Sequence, residues 1–179
     1  MKNHESPDSG WVASPLMYTP IHKLEVNDSV QNFDCGQSAL NQFLHRYAWV
    51  NQRAGAARTY VCCHDGQVVA FYSLAVGSVE HEKAPDRVSK GLAKHPVPVM
   101  ILARLAVDKA HQGNGLGCAL LKDALLRTLQ VSDIAGVRAL LVHAKDDTAR
   151  RWYQQWEFET SPTDPFHLFL LIKDLKAMV

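Results

Sequence analysis

Three glycines fall within five residues in the stretch Gln112-Gly113-Asn114-Gly115-Leu116-Gly117. An apolar run, ILARLAV, leads into them and a leucine-rich run leaves them. Residues without a Cβ adopt positive φ readily and let the backbone approach a ligand closely. A helix that begins there presents unpaired N–H groups and the positive end of its dipole, so the chemistry on offer is anion binding, with phosphate the natural guest. The stretch lacks the Gly-Lys-Ser/Thr ending of a nucleotide-hydrolysing loop. It also lacks the final glycine spacing and the first-strand position of a dinucleotide fingerprint.

The elements that must position this turn follow from hydrophobic period and turn chemistry. IHKLEV reads as a first strand, and SALNQFLHRYAWVNQ as a helix with Leu40, Phe43, Leu44, Tyr47 and Val50 on one face. TYVCCHDGQVVAFYSLAVGSV reads as a hairpin turning at Asp65-Gly66. A charged, proline-containing connection leads to the strand VMILARLAVD. After the glycine turn, a helix from about Leu116 to Val131 points Leu116, Leu120, Leu121, Ala124, Leu125 and Leu129 inward, with Gly136 just beyond its end. VRALLVHA is a buried strand, DDTARRWYQQW a helix with an acidic cap, and HLFLLIKDL a last strand. Interleaved strands and helices predict an α/β domain whose mixed sheet is covered by helices.

The chain has 179 residues, 47% of them hydrophobic and 21% charged, enough for one substantial core and too few for two full domains. Residues 1–20 read as an N-terminal extension and 21–179 as the domain. No run of about 18 apolar residues occurs, and prolines and polar residues occupy the place of a signal-peptide core, so the expectation is a cytoplasmic protein that enters no membrane. Cys35, Cys62, Cys63 and Cys118 have neither metal-site spacing nor disulfide density, so they read as reduced structural thiols, and no metal is expected. Adjacent Cys62 and Cys63 should face opposite sides of a strand.

The net charge of +1 conceals two acid-free windows. Arg46, Arg53 and Arg58 lie between Asp34 and Asp65; Arg87, Lys90, Lys94 and Arg104 lie between Asp86 and Asp108. These are seven of 19 basic residues, which leaves 12 basic against 18 acidic residues elsewhere. If the windows meet in the fold they form a positive face for a polyanion. Patchy surface charge without function is the alternative.

The glycine turn resembles the Q/R-x-x-G-x-G/A motif of the GNAT superfamily of N-acetyltransferases. In that family the motif follows the fourth strand and cradles the pyrophosphate of acetyl-CoA. The resemblance implies a mixed, mostly antiparallel sheet that splays between strands 4 and 5. It places the pantetheine arm against the main chain of Leu105, Ala106 and Val107, and the pyrophosphate at Gln112, Gly113, Asn114, Gly115, Leu116 and Gly117. Tyr153, in RRWYQQWEF, matches the helix tyrosine that protonates the departing thiolate. A phenol with a reference pKa of about 10 keeps its proton at neutral pH and can deliver it to a thiolate of about 8.5. The segments AGAARTYV, VAFYSLAVGSV, PVPVMILARLAVD and GNGLGCALLKDALLR narrow the likeness, over roughly residues 22–172, to the GNAT toxins of bacterial toxin–antitoxin pairs, of the TacT and AtaT type. Such toxins acetylate the α-amino group of aminoacyl-tRNA. They are homodimers neutralised by a ribbon-helix-helix antitoxin, through which alone they meet operator DNA. One departure stands out: the family's Y-x-x-x-G-F reads Tyr153-Gln154-Gln155-Trp156-Glu157-Phe158 here, with Glu157 in the glycine's place.

On this reading Arg53, Arg58, Arg87, Lys94 and Arg104 grip the phosphates of the tRNA acceptor end, with an internal ion pair the alternative for Arg104. An α-amino group titrates near pH 8, so a fraction is already nucleophilic and a strong base is dispensable. Glu80, His81 and His143 are candidate proton acceptors, with surface or core roles as the alternative for each. A small-molecule or protein amine as acceptor, and a non-catalytic coenzyme-binding module, are the competing functions; steep salt dependence separates the tRNA reading from the first.

Overall fold

The chain folds in a computed structural model that describes residues 17–179. The expected extension therefore lies mostly outside the described residues, but its last residues already belong to the domain: Thr19 N–H donates to the Cys63 carbonyl at 2.9 Å, and Tyr18 packs against the core. Among the described residues no helix is long and apolar enough to cross a membrane.

Seven strands form one sheet in the order β1-β2-β3-β4-β5-β7-β6. They are β1 (His22–Lys23), β2 (Arg58–His64), β3 (Gln67–Val79), β4 (Val97–Val107), β5 (Ala139–His143), β6 (Glu159–Thr160) and β7 (His167–Leu171). All pairings are antiparallel except β4 with β5. The β2–β3 turn takes positive φ at Asp65 (48°) and Gly66 (75°), the left-handed pair that matches strand twist. Cys62 and Cys63 enter opposite core clusters, as strand alternation requires. One cluster lies under α4 (Leu116–Ser132), α5 (Asp147–Gln154) and α6 (Ile172–Met178); the other lies under α1 (Ser38–Gln42) and α2 (Ala48–Arg53). The short α3 (Asp86–Ser89) sits in the connection before β4.

Four local expectations are corrected. The first strand contracts to two residues, because regular ladder pairing with β2 is confined to His22↔Val61 and Lys23↔Tyr60. A π-helical stretch, Phe43–Tyr47, joins α1 to α2 and inserts one residue into the helical phase. Ala48 (1% exposed) therefore turns inward, while Tyr47 and Val50, expected on the apolar face, are 50% and 60% exposed. Gly136 takes no left-handed cap; α4 ends with Asp133 in a right-handed conformation. The last run is half strand and half helix: Leu171 is the final residue paired with β5, Ile172 N–H donates to the Arg138 carbonyl, and α6 buries Leu175.

The feature that builds the site is a parting of the sheet. β4 pairs with β5 only from Val99↔Ala139 to Leu102↔Val142. On its other edge Ser73 faces Arg104 while Leu74 faces Leu102, which leaves Ala103 as an extra residue, a β-bulge that re-aims the strand. Beyond the bulge, β4 runs on to Val107 with no partner on the β5 side.

Candidate active site

The glycine turn closes β4 and opens α4. Gly113 and Gly115 take φ of 83° and 79°, and Gly115 is the N-cap, with no side chain satisfying the first amides of the helix. A Cβ on Gly115 would meet nothing within 4 Å, so glycine is required there by backbone conformation and not by space. Gly117 is helical, and a Cβ there would make an ordinary 3.8 Å contact with the Trp152 ring. These amides face a cavity of about 640 Å³ between β4, α4 and α5.

Of the residues expected at the coenzyme, Leu105, Val107, Gln112, Gly113, Gly115, Leu116 and Gly117 line this cavity, with Tyr153 at its inner wall. Ala106 and Asn114 do not. Ala106 turns its side chain into the opposite core cluster, and Asn114 donates from its amide to the Tyr18 hydroxyl and the His111 carbonyl. Gln112 spends its side-chain amide on the Val107 carbonyl at 3.0 Å, which ties the turn to β4 and occupies part of the main-chain edge expected to pair with pantetheine. Sequence reasoning missed His111, Lys145, Thr148, Ala149 and Trp152 along the same wall. The last three share a face of α5 with Lys145 just ahead of it, a helical spacing that could have flagged them.

Tyr153 is 8% exposed, and burial pushes its phenol well above the ordinary value, so it stays protonated. The Phe158 ring packs edge-on against it at 5.5 Å. Glu157 takes φ of 67°, so the chain leaves α5 through the left-handed conformation a glycine would favour, and the tyrosine keeps its place.

A second cavity, about 280 Å³, opens on the α1 face of the sheet and shares Leu105, Lys145, Ala149 and Tyr153 with the first. The two meet where β4 and β5 part. Leu40, Leu102 and Ala103 supply apolar wall, and Arg104 and His143 the polar groups. The Arg104 guanidinium lies 3.8 Å from the Phe43 ring centroid, and burial lowers its pKa. Among the described residues it forms no ion pair, so the internal pair considered for it is replaced by a cation–π contact on the π-helical stretch. His143 stacks on His167 at 4.2 Å, and His167 in turn faces Asp164 at 3.5 Å. Burial, and then the neighbouring His167, lower the His143 pKa, so its imidazole is neutral at pH 7. Glu80 and His81 follow the far end of β3, and neither lines either cavity.

The two acid-free windows meet only in part: Arg104 lies on Phe43 of the first window, while Arg87 and Lys94 stand apart from that contact. Arg87 is held by Glu159 and, at 2.8 Å, by Asp174, both from outside its window, so its charge is already matched. Lys94 precedes β4 at the end opposite the glycine turn, about 33 Å away at strand rise. Arg58 hydrogen-bonds the Gln52 carbonyl and faces Leu74, itself opposite Leu102; two strand spacings put it about 10 Å from the parting. Arg53 is exposed and unpaired among the described residues.

The thiols divide. Cys62 and Cys63 are buried, whereas Cys118 is exposed in the wall of the larger cavity. His22, Asp28 and Cys63 bring metal-ligating atoms within 4.8 Å of one another at the sheet edge. They satisfy one another as a hydrogen-bonded group, His22 to Asp28 at 3.1 Å and the thiol to the same carboxylate at 3.8 Å. Burial first, and then Asp28, push that thiol up to about 11.

Comparison with known proteins gives the same architecture. The Acetyltransferase (GNAT) domain family matches residues 55–160. A tRNA-acetylating toxin of Mycobacterium tuberculosis is 47% identical over 162 residues, 90% of this chain and 97% of the relative. AtaT complexed with acetyl-methionyl-tRNAfMet superposes with a TM-score of 0.83 at 27% identity, covering 90% of this chain and 99% of that one. A tyrosine-to-phenylalanine mutant of AtaT bound to the C-terminus of the antitoxin AtaR and to acetyl-CoA gives 0.75 at 28% identity, covering 90% and 97%. With its parted sheet, uncapped glycine turn and buried helix tyrosine, the chain belongs to the GNAT acetyltransferases and is an acetyl-CoA-dependent N-acetyltransferase.

Proposed function

We propose that the protein transfers the acetyl group of acetyl-CoA to the α-amino group of aminoacyl-tRNA and so blocks translation. The observation that carries this reading is the second cavity. It opens on the face of the sheet opposite the glycine turn, meets the coenzyme cavity at Tyr153, and holds a partly buried guanidinium, Arg104, that pairs with no carboxylate among the described residues. An amino acid esterified through its carboxyl to an RNA end brings phosphates along with its free amine, and Arg104, with Arg58 and Arg53 beyond, offers them cations.

In this mechanism the coenzyme diphosphate rests on the amides after Gly115. The thioester reaches the parting near Ala103. The substrate amine enters past Leu40 and Arg104 as its free base and attacks the thioester carbon, and the proton its nitrogen sheds as the N–C bond forms passes to His143 directly or through water. The C–S bond breaks, and Tyr153 hands its proton to the departing thiolate and regains one from solvent. Positioning amine against thioester supplies most of the acceleration. The relatives in complex with tRNA and with the antitoxin AtaR support the same substrate class and an antitoxin as partner; a ribbon-helix-helix antitoxin, through which alone the protein meets operator DNA, is part of this reading. A homodimer acting in the cytoplasm, where charged tRNA is found, completes the reading.

The test is incubation with labelled acetyl-CoA, bulk charged tRNA and free amines, using wild type and Tyr153→Phe. Label should appear as N-acetyl amino acid released from tRNA by mild base. The variant, which loses only a hydroxyl, should bind acetyl-CoA normally yet turn over roughly 10² times more slowly. Label on free amines alone would overturn the reading.

A further inference from the structure

Tyr18 belongs to the segment that the sequence sets apart from the domain, yet its hydroxyl is 3.0 Å from His111 Nδ1, a contact spanning 93 residues. His111 lines the coenzyme cavity beside Gly113 and Gly115. Asn114, inside the turn, donates its side-chain N–H to the same hydroxyl at 3.3 Å and to the His111 carbonyl at 3.2 Å. The carbonyl can only accept, which fixes the donor end of the amide. The Tyr18 oxygen therefore accepts from Asn114, and its own proton is available to His111 Nδ1. With Nδ1 accepting, the imidazole presents Nε2 as its donor, and among the described residues Nε2 has no partner.

Tyr18 is itself anchored. Thr19 exchanges two bonds with Cys63, one from each backbone N–H: Thr19 N to the Cys63 carbonyl and Cys63 N to Thr19 Oγ1, each at 2.9 Å. The Met17 carbonyl takes a bond from His64 Nδ1, and the rings of Tyr18, His64 and His111 lie 5.1 to 5.6 Å apart. The phosphate turn is thus braced from outside by a chain segment tied to β2.

We propose that His111 is a coenzyme-binding residue whose Nε2–H donates to a phosphate of acetyl-CoA, and that Tyr18 is the positioning residue that fixes this imidazole and the turn beside it. The glycine turn supplies backbone donors only. His111 adds a side-chain donor at the cavity wall, and Tyr18 holds its tautomer and orientation, as an outer partner does for a metal-bound histidine. The inference rests on acetyl-CoA occupying this cavity. Wild-type protein that failed to bind acetyl-CoA in calorimetry would remove that occupant and is a distinct failure.

The experiment compares Tyr18→Phe, His111→Ala and the double variant, using calorimetric acetyl-CoA affinity and turnover with acetyl-CoA and with acetyl-pantetheine, which lacks the phosphates. A donor to a charged phosphate predicts about a tenfold rise in acetyl-CoA Kd for His111→Ala and a three- to tenfold rise for Tyr18→Phe. Saturated kcat should stay within about twofold, because the reacting atoms are untouched. The double variant should match His111→Ala, since Tyr18 acts through the imidazole. Turnover of acetyl-pantetheine should be unchanged in all three. Unaltered Kd in either single variant, additive losses in the double, or equal losses with acetyl-pantetheine would each overturn the proposal; the last would mark Tyr18 as a general structural support.

Discussion

Glu157 occupies a left-handed backbone position, φ 67°, three residues past the end of α5. An L side chain there costs roughly 1–2 kcal/mol from the clash of Cβ with the carbonyl that follows. Glycine relieves that clash but gives back roughly 0.5–1 kcal/mol of unfolded-state entropy. The carboxylate is exposed and joins no ion pair among the described residues, so nothing else is lost. Glu157→Gly should therefore stabilise the protein by about 0.5–1 kcal/mol, which for a chain of this size raises Tm by roughly 1–4 °C. Glu157→Val, β-branched at the same φ, should lower stability by at least a comparable amount. The assay is urea unfolding read by tryptophan fluorescence, with m-values checked for constancy, beside thermal scans. Trp156 N–H bonds the Tyr153 carbonyl at 2.9 Å, and Phe158 backs the tyrosine ring, so the same turn seats the proposed acid. Relaxing the turn without altering its path should leave kcat within about twofold. A destabilised Glu157→Gly, or a neutral Glu157→Val, would refute the backbone reasoning.

Gly115→Glu forces a side chain into the left-handed N-cap and sets a carboxylate against the diphosphate; calorimetric binding of acetyl-CoA should be lost while circular dichroism still reports the fold, and retained binding would move the site. Arg104→Ala should weaken tRNA binding and flatten log affinity against log salt by about 0.7–0.9 for one lost phosphate contact, whereas Arg87→Ala, whose guanidinium already serves Glu159 and Asp174, should leave that slope alone and register as lost stability instead. Equal slopes for wild type and Arg104→Ala would remove that residue from the RNA contact. His143, faced by His167, Asp164, Arg104 and Lys145, is held below its ordinary 6.5 by burial and by His167, so wild-type kcat/KM should fall as pH drops through that lowered value. His143→Gln should be roughly tenfold slower at pH 7 and approach wild type near pH 9, where the α-amine is largely free; parallel pH curves would make the residue merely structural.

Signals confined to a few neighbouring residues were legible in the sequence. The Asp65-Gly66 turn, the cap of α5 by Asp146, the apolar face of α4 and the glycine turn each depend on conformational preferences within a few positions, and each stands where those preferences put it. The candidate coenzyme site was open to sequence reading for the same reason: backbone amides at a helix N-terminus need little more than glycines between a strand and a helix. What remained hidden depends on segments far apart in the chain. The acid-free windows overstated the basic face, because Glu159 and Asp174 reach Arg87 from other elements. The π-helical stretch that rotates Tyr47 outward and sets Phe43 under Arg104 leaves no mark in the apolar spacing. The extra residue at Ala103, which parts β4 from β5 and lets two cavities meet at Tyr153, is defined only by the register of three strands. The brace from Tyr18 to the glycine turn closes a loop of 93 residues, and no local preference encodes a contact whose partners meet only once the sheet between them has formed.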